Sequence, residues 1–146
     1  MSDAQPGHTV VTGVIGDDIH VVGLRVIEHA LEDAGYEVVS LGVQTPADEF
    51  LEAAVETAAD AIVVSSMSGH AREVCQGFGG RAAEYGLEDV PLYLGGNLAV
   101  GERDDEELRA LFTGPDYGFD RVFTADASPD RLLDALAADL GPPDRG

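Results

Sequence analysis

Five short apolar segments, rich in β-branched residues, recur along the chain: "TVVTGVI" at 9–15, "EVVSLG" at 37–42, "AIVVSS" at 61–66, "PLYLGG" at 91–96 and "RVFTA" at 121–125. Each is followed by a stretch with helical spacing, at 22–34, 47–58, 70–85, 104–112 and 128–140. Runs that stay apolar instead of alternating are strands covered on both faces, the mark of a parallel sheet with helical crossovers. The pattern predicts an α/β fold: a doubly wound five-stranded parallel sheet, flavodoxin-like (Rossmann-like), with strand order 2-1-3-4-5. Thr45-Pro46 and Ser128-Pro129 read as a cap followed by a first-turn proline, and Gly35 and Gly86 as helix C-terminal glycines. Residues 1–146 read as a single domain with its core at about 9–140 and tails at 1–8 and 141–146.

Charge narrows the partners. Twenty-eight acids face eight arginines, no lysine is present, and the net charge is −20. Such a chain repels nucleic acid and anionic membrane. It is nonetheless 45% hydrophobic, so it supports a packed core and not an acidic disordered tail. No apolar run approaches a membrane span, and "MSDAQPGHTV" has no signal-peptide pattern. These features point to a cytoplasmic protein. The acidic surface suits high salt, where self-repulsion is screened. A single cysteine, Cys75, allows no internal disulfide and reads as a buried, inert thiol.

Open α/β sheets bind ligands outside the carboxyl ends of their strands, near the topological switch point. Three loops there carry chemistry. After the first strand comes Gly16-Asp17-Asp18-Ile19-His20-Val21-Val22-Gly23. In an extended loop Asp18 and His20 face the same way. A carboxylate beside an imidazole fixes its tautomer and raises its basicity, as a metal-binding histidine requires. After the third strand come Ser65, Ser66 and Met67, with hydroxyls to offer. After the fourth come Gly95, Gly96 and Asn97, where a bulky group could reach the backbone. Each loop alone is an ordinary turn or helix start. Of the other histidines, His8 falls in the tail, His29 within the first helix, solvent-facing or packed, and His70 at the start of the third helix. A phosphate-accepting receiver domain would need an aspartate where Ser65-Ser66 stands, and a lysine. A flavin phosphate would be repelled by Asp17 and Asp18 in that first loop.

Together, D-x-H-x-x-G (Asp18, His20, Gly23), S-x-M (Ser65, Met67) and G-G (Gly95, Gly96) resemble the fingerprint of the cobalamin-binding domains of B12-dependent mutases and methyltransferases. Met67 stands where leucine is usual, a volume-conserving change. The stretches "GVIGDDIHVVG", "SSMSGHAREVCQG", "LGGNLAVG" and "GFDRVF" with its later "SP" are similar to the small subunits of glutamate mutases, from Val11 to Leu140. That resemblance implies adenosylcobalamin bound base-off/His-on. His20 would be the cobalt axial ligand and Asp18 its hydrogen-bond partner, with Asp17, Ile19 and Val21 beside them in the loop. Gly23 would leave room for the nucleotide tail, Ser65 would bond it, and Ser66 and Met67 would form that wall. Gly95 and Gly96 would admit the tail, and Asn97, Leu98, Ala99, Val100 and Gly101 would line its far end. No catalytic residue is assigned to this chain. The substrate would be bound by a larger TIM-barrel catalytic subunit in a two-plus-two heterotetramer that rearranges L-glutamate to L-threo-3-methylaspartate. The strand-end loops show no arginine cluster for a dicarboxylate, so this chain would be inactive alone. The alternatives are a corrinoid carrier for methyl transfer or the cobalamin subunit of another carbon-skeleton mutase.

Overall fold

The computed structural model describes residues 8–16, 22–66, 71–96, 104–123 and 129–140. The elements run β1 (Thr9–Val14), α1 (Val22–Asp33), β2 (Glu37–Ser40), α2 (Ala47–Thr57), β3 (Ala61–Ser66), α3 (Ala71–Val74), α4 (Phe78–Glu84), β4 (Leu92–Gly96), α5 (Asp105–Phe112), β5 (Arg121–Phe123) and α6 (Pro129–Leu140). All strand pairs are parallel, and the order is β2-β1-β3-β4-β5, as the alternation of apolar runs and helices predicts.

The strands alternate their side chains between two cores. Val11, Ile62, Val64, Leu92, Leu94 and Val122 face α2, α4 and α5. There Phe50 meets Phe78 edge-on at 6.0 Å, and Phe78 stacks on Phe119 at 5.1 Å. Val10, Ala61, Val63 and Tyr93 face α1 and α6, packing on Leu31, Leu132 and Leu136. The second face is pinned by polar contacts as well. Thr12, fully buried, donates its hydroxyl to Glu28 Oε2 of α1 at 2.6 Å. Tyr93, also fully buried, donates to Asp139 Oδ2 of α6 at 2.6 Å. Asp139 in turn accepts two bonds from the Arg121 guanidinium, both at 2.9 Å.

Two aspartates lash the amino ends of neighbouring strands. The Asp60 carboxylate accepts the Thr9 N–H at 2.8 Å while the Asp60 N–H donates to the Thr9 carbonyl at 2.7 Å. Asp120 repeats the arrangement on Leu92, with 2.7 Å and 2.8 Å. Each aspartate stands immediately before its own strand and ties the start of that strand to its neighbour.

The helix signals hold in part. Gly35 and Gly86 do end α1 and α4, with φ of 102° and 79°. The stretch read as one helix over 70–85 breaks instead into α3 and α4. Gly77 takes φ 76° there and donates its N–H to the Asp116 carbonyl at 2.7 Å, outside any helix ladder. A glycine contact fixes the break. A Cβ on Gly79 would lie 2.8 Å from Gly118 Cα, so α4 rests backbone to backbone on the loop before β5. Thr45 does not cap α2. It is buried, its N–H donates to the Val14 carbonyl at 2.9 Å, and Pro46 holds the N-cap position without a side-chain bond. Thr45 instead extends the sheet as a bridge partner of Ile15. The second strand stops at Ser40, short of the expected Gly42, where φ of 77° turns the chain.

Candidate cobalamin site

The register sets the predicted site residues side by side. Val14 pairs with Ser65, Ser65 with Gly95, and Ser66 with Gly96. The carboxyl ends of β1, β3 and β4 therefore form one continuous ledge at the centre of the sheet. Ile15 closes it by donating its N–H to the Ser65 carbonyl at 3.0 Å.

Side-chain alternation divides this ledge between the two faces. Ser65 lies on the α1/α6 side with Val63, and Gly95 follows Tyr93 on that side. Ser66 lies on the other side with Val64 and Leu94. Both hydroxyls are withdrawn from water, at 2% and 1% exposure. Among the described residues, the Ser66 hydroxyl has no hydrogen-bond partner. A buried hydroxyl left so costs about 1–3 kcal/mol, a penalty that a polar ligand group at the ledge would relieve.

The two glycines differ in what they do. Gly96 takes φ 112°, so its own backbone calls for glycine. Gly95 has no such constraint. A Cβ there would sit 3.5 Å from the Phe123 carbonyl and 3.7 Å from Phe123 Cβ, ordinary contact distances. Packing among the described residues would accept alanine at Gly95. Gly23 is the second residue of α1, on the α1/α6 side of the sheet. The ledge thus offers a buried hydroxyl on each face and a floor without side chains. These features fit the long nucleotide tail of a corrinoid, whose phosphodiester and ribose oxygens can hydrogen-bond and whose bulk needs a bare floor.

Asp17, Asp18, Ile19, His20, Val21, Met67, Asn97, Leu98, Ala99, Val100 and Gly101 lie outside the described residues, as do His70 and Ser128. Among the other singled-out residues, His29 is solvent-facing, its Nε2 3.6 Å from Asp33 Oδ2. His8 is half-buried, with Nδ1 3.6 Å from Asp60 Oδ2, at the opposite end of the sheet from the ledge. Cys75 is fully buried, and burial pushes its thiol up to about 12. Sequence reasoning passed over the Tyr93–Asp139–Arg121 cluster, which pins the last turn of α6 to the amino-end half of β4 and β5, away from the ledge. Its one signal was a tyrosine inside an apolar strand, whose hydroxyl needs a partner when buried.

A switch-point ledge of hydroxyls and glycines on a 2-1-3-4-5 sheet fits a corrinoid-binding domain of flavodoxin-like architecture. Comparison with known proteins agrees: the B12 binding domain family matches residues 8–118. Among solved structures, a cobalamin-binding protein from Desulfitobacterium hafniense superposes with a TM-score of 0.69 at 18% identity, covering 88% of this chain and 57% of that one. The methanol:cobalamin methyltransferase complex from Methanosarcina barkeri gives 0.68 at 22% identity, covering 92% and 48%. This chain thus spans about half the length of those two chains, with which it shares the fold. A response-regulator receiver domain from Mycobacterium tuberculosis shares the fold too, at 0.60 and 16% identity.

Sequence relatives are more specific. Glutamate mutase sigma subunit 2 of Haloarcula marismortui is 52% identical over 133 residues, covering 91% of this chain and 88% of the relative. The glutamate mutase sigma subunit of Clostridium cochlearium is 41% identical over 132 residues, covering 90% and 95%. The chain belongs to the glutamate mutase sigma subunit family.

Proposed function

We propose that this chain holds adenosylcobalamin across the carboxyl ends of β1, β3 and β4 and presents it to a larger catalytic subunit that converts L-glutamate to L-threo-3-methylaspartate. The observation that carries the reading is the register pairing Val14 with Ser65, Ser65 with Gly95 and Ser66 with Gly96 at the carboxyl ends of β1, β3 and β4. Family membership supports the same reading. Ser65 would bond the nucleotide tail on the α1/α6 side, and Gly95 and Gly23 would leave it space. His20 would ligate cobalt through a neutral imidazole whose other nitrogen is held by Asp18, in the base-off/His-on mode. The loop residues Asp17, Ile19 and Val21, with Met67 and Asn97 to Gly101, would complete the walls.

When bound, the cofactor supplies a carbon-centred radical by homolysis of its Co–C bond. This chain's residues bind and orient; we assign substrate recognition to the catalytic subunit, a TIM-barrel protein in a two-plus-two assembly. The sigma chain alone would therefore be inactive.

The test replaces His20 with Gly. In the Co(II) state the wild type should show nitrogen hyperfine coupling from a histidine ligand, and the variant should lose it. Retention of benzimidazole on cobalt in the wild type would refute the His-on mode. Asp18→Asn should weaken cofactor binding by roughly 10- to 100-fold, the range for residues that orient a metal ligand. Activity with the large subunit and adenosylcobalamin, absent with methylcobalamin, separates a mutase subunit from a methyl carrier.

A further inference from the structure

Eight arginines are all the cations this chain has besides its histidines and amino terminus, against twenty-eight acids. Three of them meet in one place. Arg109 of α5, Arg121 of β5 and Arg131 of α6 line a groove of about 310 Å³, together with Thr113, Val122 and Phe123. The groove follows the outer edge of β5, which pairs with β4 only. The helices α5 and α6 lie on opposite faces of the sheet, so Arg109 and Arg131 approach this edge from its two sides.

Arg121 is held by Asp139. Arg81 is held by Asp48. Among the described residues, neither Arg109 nor Arg131 has a carboxylate within ion-pair distance. Among the described residues, Arg25 of α1 also lacks an ion pair, so it is the convergence of three arginines that marks the groove. Among the described residues, the acid lining the groove is Asp120, whose carboxylate accepts the Leu92 N–H. Charged side chains along an edge strand also keep it from pairing with other sheets. That role is met by any charge, and acids are plentiful here. It does not explain why three of the eight arginines converge on one groove.

We propose that the β5 groove is a binding site for a small, multiply charged oxyanion, a phosphate or a dicarboxylate, bridged by Arg109 and Arg131. Guanidinium groups match the planar oxygens of both ligand classes in paired hydrogen bonds. The volume is at the lower end of small-molecule sites. The occupant would tie α5 to α6 across the strand that carries Phe123, the neighbour of Gly95. The proposal does not depend on cobalamin, so it is tested on the cofactor-free chain.

The probes are potassium phosphate and potassium succinate, each compared with potassium chloride at equal potassium concentration. Chloride controls for the general screening of the acidic surface. The readout is the set of arginine Nε–H cross-peaks in a nitrogen–proton spectrum. The expected result is a saturable shift of the Arg109 and Arg131 peaks with at least one of the two anions and none with chloride. The anion that shifts them identifies the source. R109Q/R131Q, changing exposed side chains only, should weaken half-saturation by roughly tenfold or more. R25Q/R81Q should leave it unchanged. Non-saturating shifts identical to chloride would overturn the proposal, as would equal binding by both double variants. Binding of hexaglutamate without binding of either small anion would also overturn it, assigning the edge to an acidic peptide.

Discussion

Replacing Asp139 with alanine removes the acceptor of a bond from a phenol that has no contact with water. Tyr93 is fully buried and donates to Asp139 at 2.6 Å, while Arg121 contributes two further bonds at 2.9 Å. A hydrogen bond to a charged group is worth about 1.5–3 kcal/mol, and its loss here strands a buried donor. The Arg121 side chain is 44% exposed, so that ion pair adds about 0–1 kcal/mol after screening. Alanine's better helix propensity returns roughly 0.5 kcal/mol to α6. The net loss is about 2 kcal/mol, or roughly 6 °C in Tm for a chain of this size. Urea unfolding followed by circular dichroism, in fixed molar potassium chloride, measures it. The bonds from Arg121 hold the Asp139 carboxyl below the ordinary carboxylate range, opposed by desolvation and helped by the Tyr93 bond. A depressed carboxylate contributes stability above its unfolded pKa and loses it as pH falls through the folded value. The gap between wild type and variant should therefore be full at neutral pH and close progressively below about pH 4. Tyr93→Phe in the same background should recover part of the loss, since no donor is then stranded. A loss under about 0.5 kcal/mol, or one constant from pH 7 to pH 3, would refute the reasoning.

Three other outcomes follow from the structure. Gly79→Ala drives a methyl into Gly118 Cα at 2.8 Å, where only backbone can move. It should destabilise the fold by about 2–3 kcal/mol in denaturant titrations. Cys75, buried with its thiol pushed up to about 12, should resist iodoacetamide at pH 8 and react only at the rate of unfolding. With a net charge of −20, the chain should gain thermal stability between low-salt buffer and molar potassium chloride, read by scanning calorimetry.

The strand order was legible because its evidence is local: each apolar run announces a buried strand and each helical stretch a crossover. The meeting of two of the three candidate loop starts was legible for a related reason. Ser65-Ser66 and Gly95-Gly96 end their own strands, and a parallel sheet brings such ends together. What stayed hidden depends on contacts distant in sequence. Nothing near Gly79 announces Gly118, so the break between α3 and α4 reads as continuous helix. Thr45-Pro46 has the letters of a cap, yet pairing with Ile15 took Thr45 into the sheet. Asp60 and Asp120 look like loop acids, because their bonds go to Thr9 and Leu92, 51 and 28 residues away.

Those two aspartates have a consequence for engineering. They fasten β3 to β1 and β5 to β4 at the amino ends of the strands, opposite the proposed ligand ledge. Segments grafted between strand ends and helices on the ledge side leave both fastenings untouched. The fold is in this sense a loom with its warp tied at one end. Its other end is open to exchange, and new binding loops can be woven there on a sheet whose registration is set elsewhere.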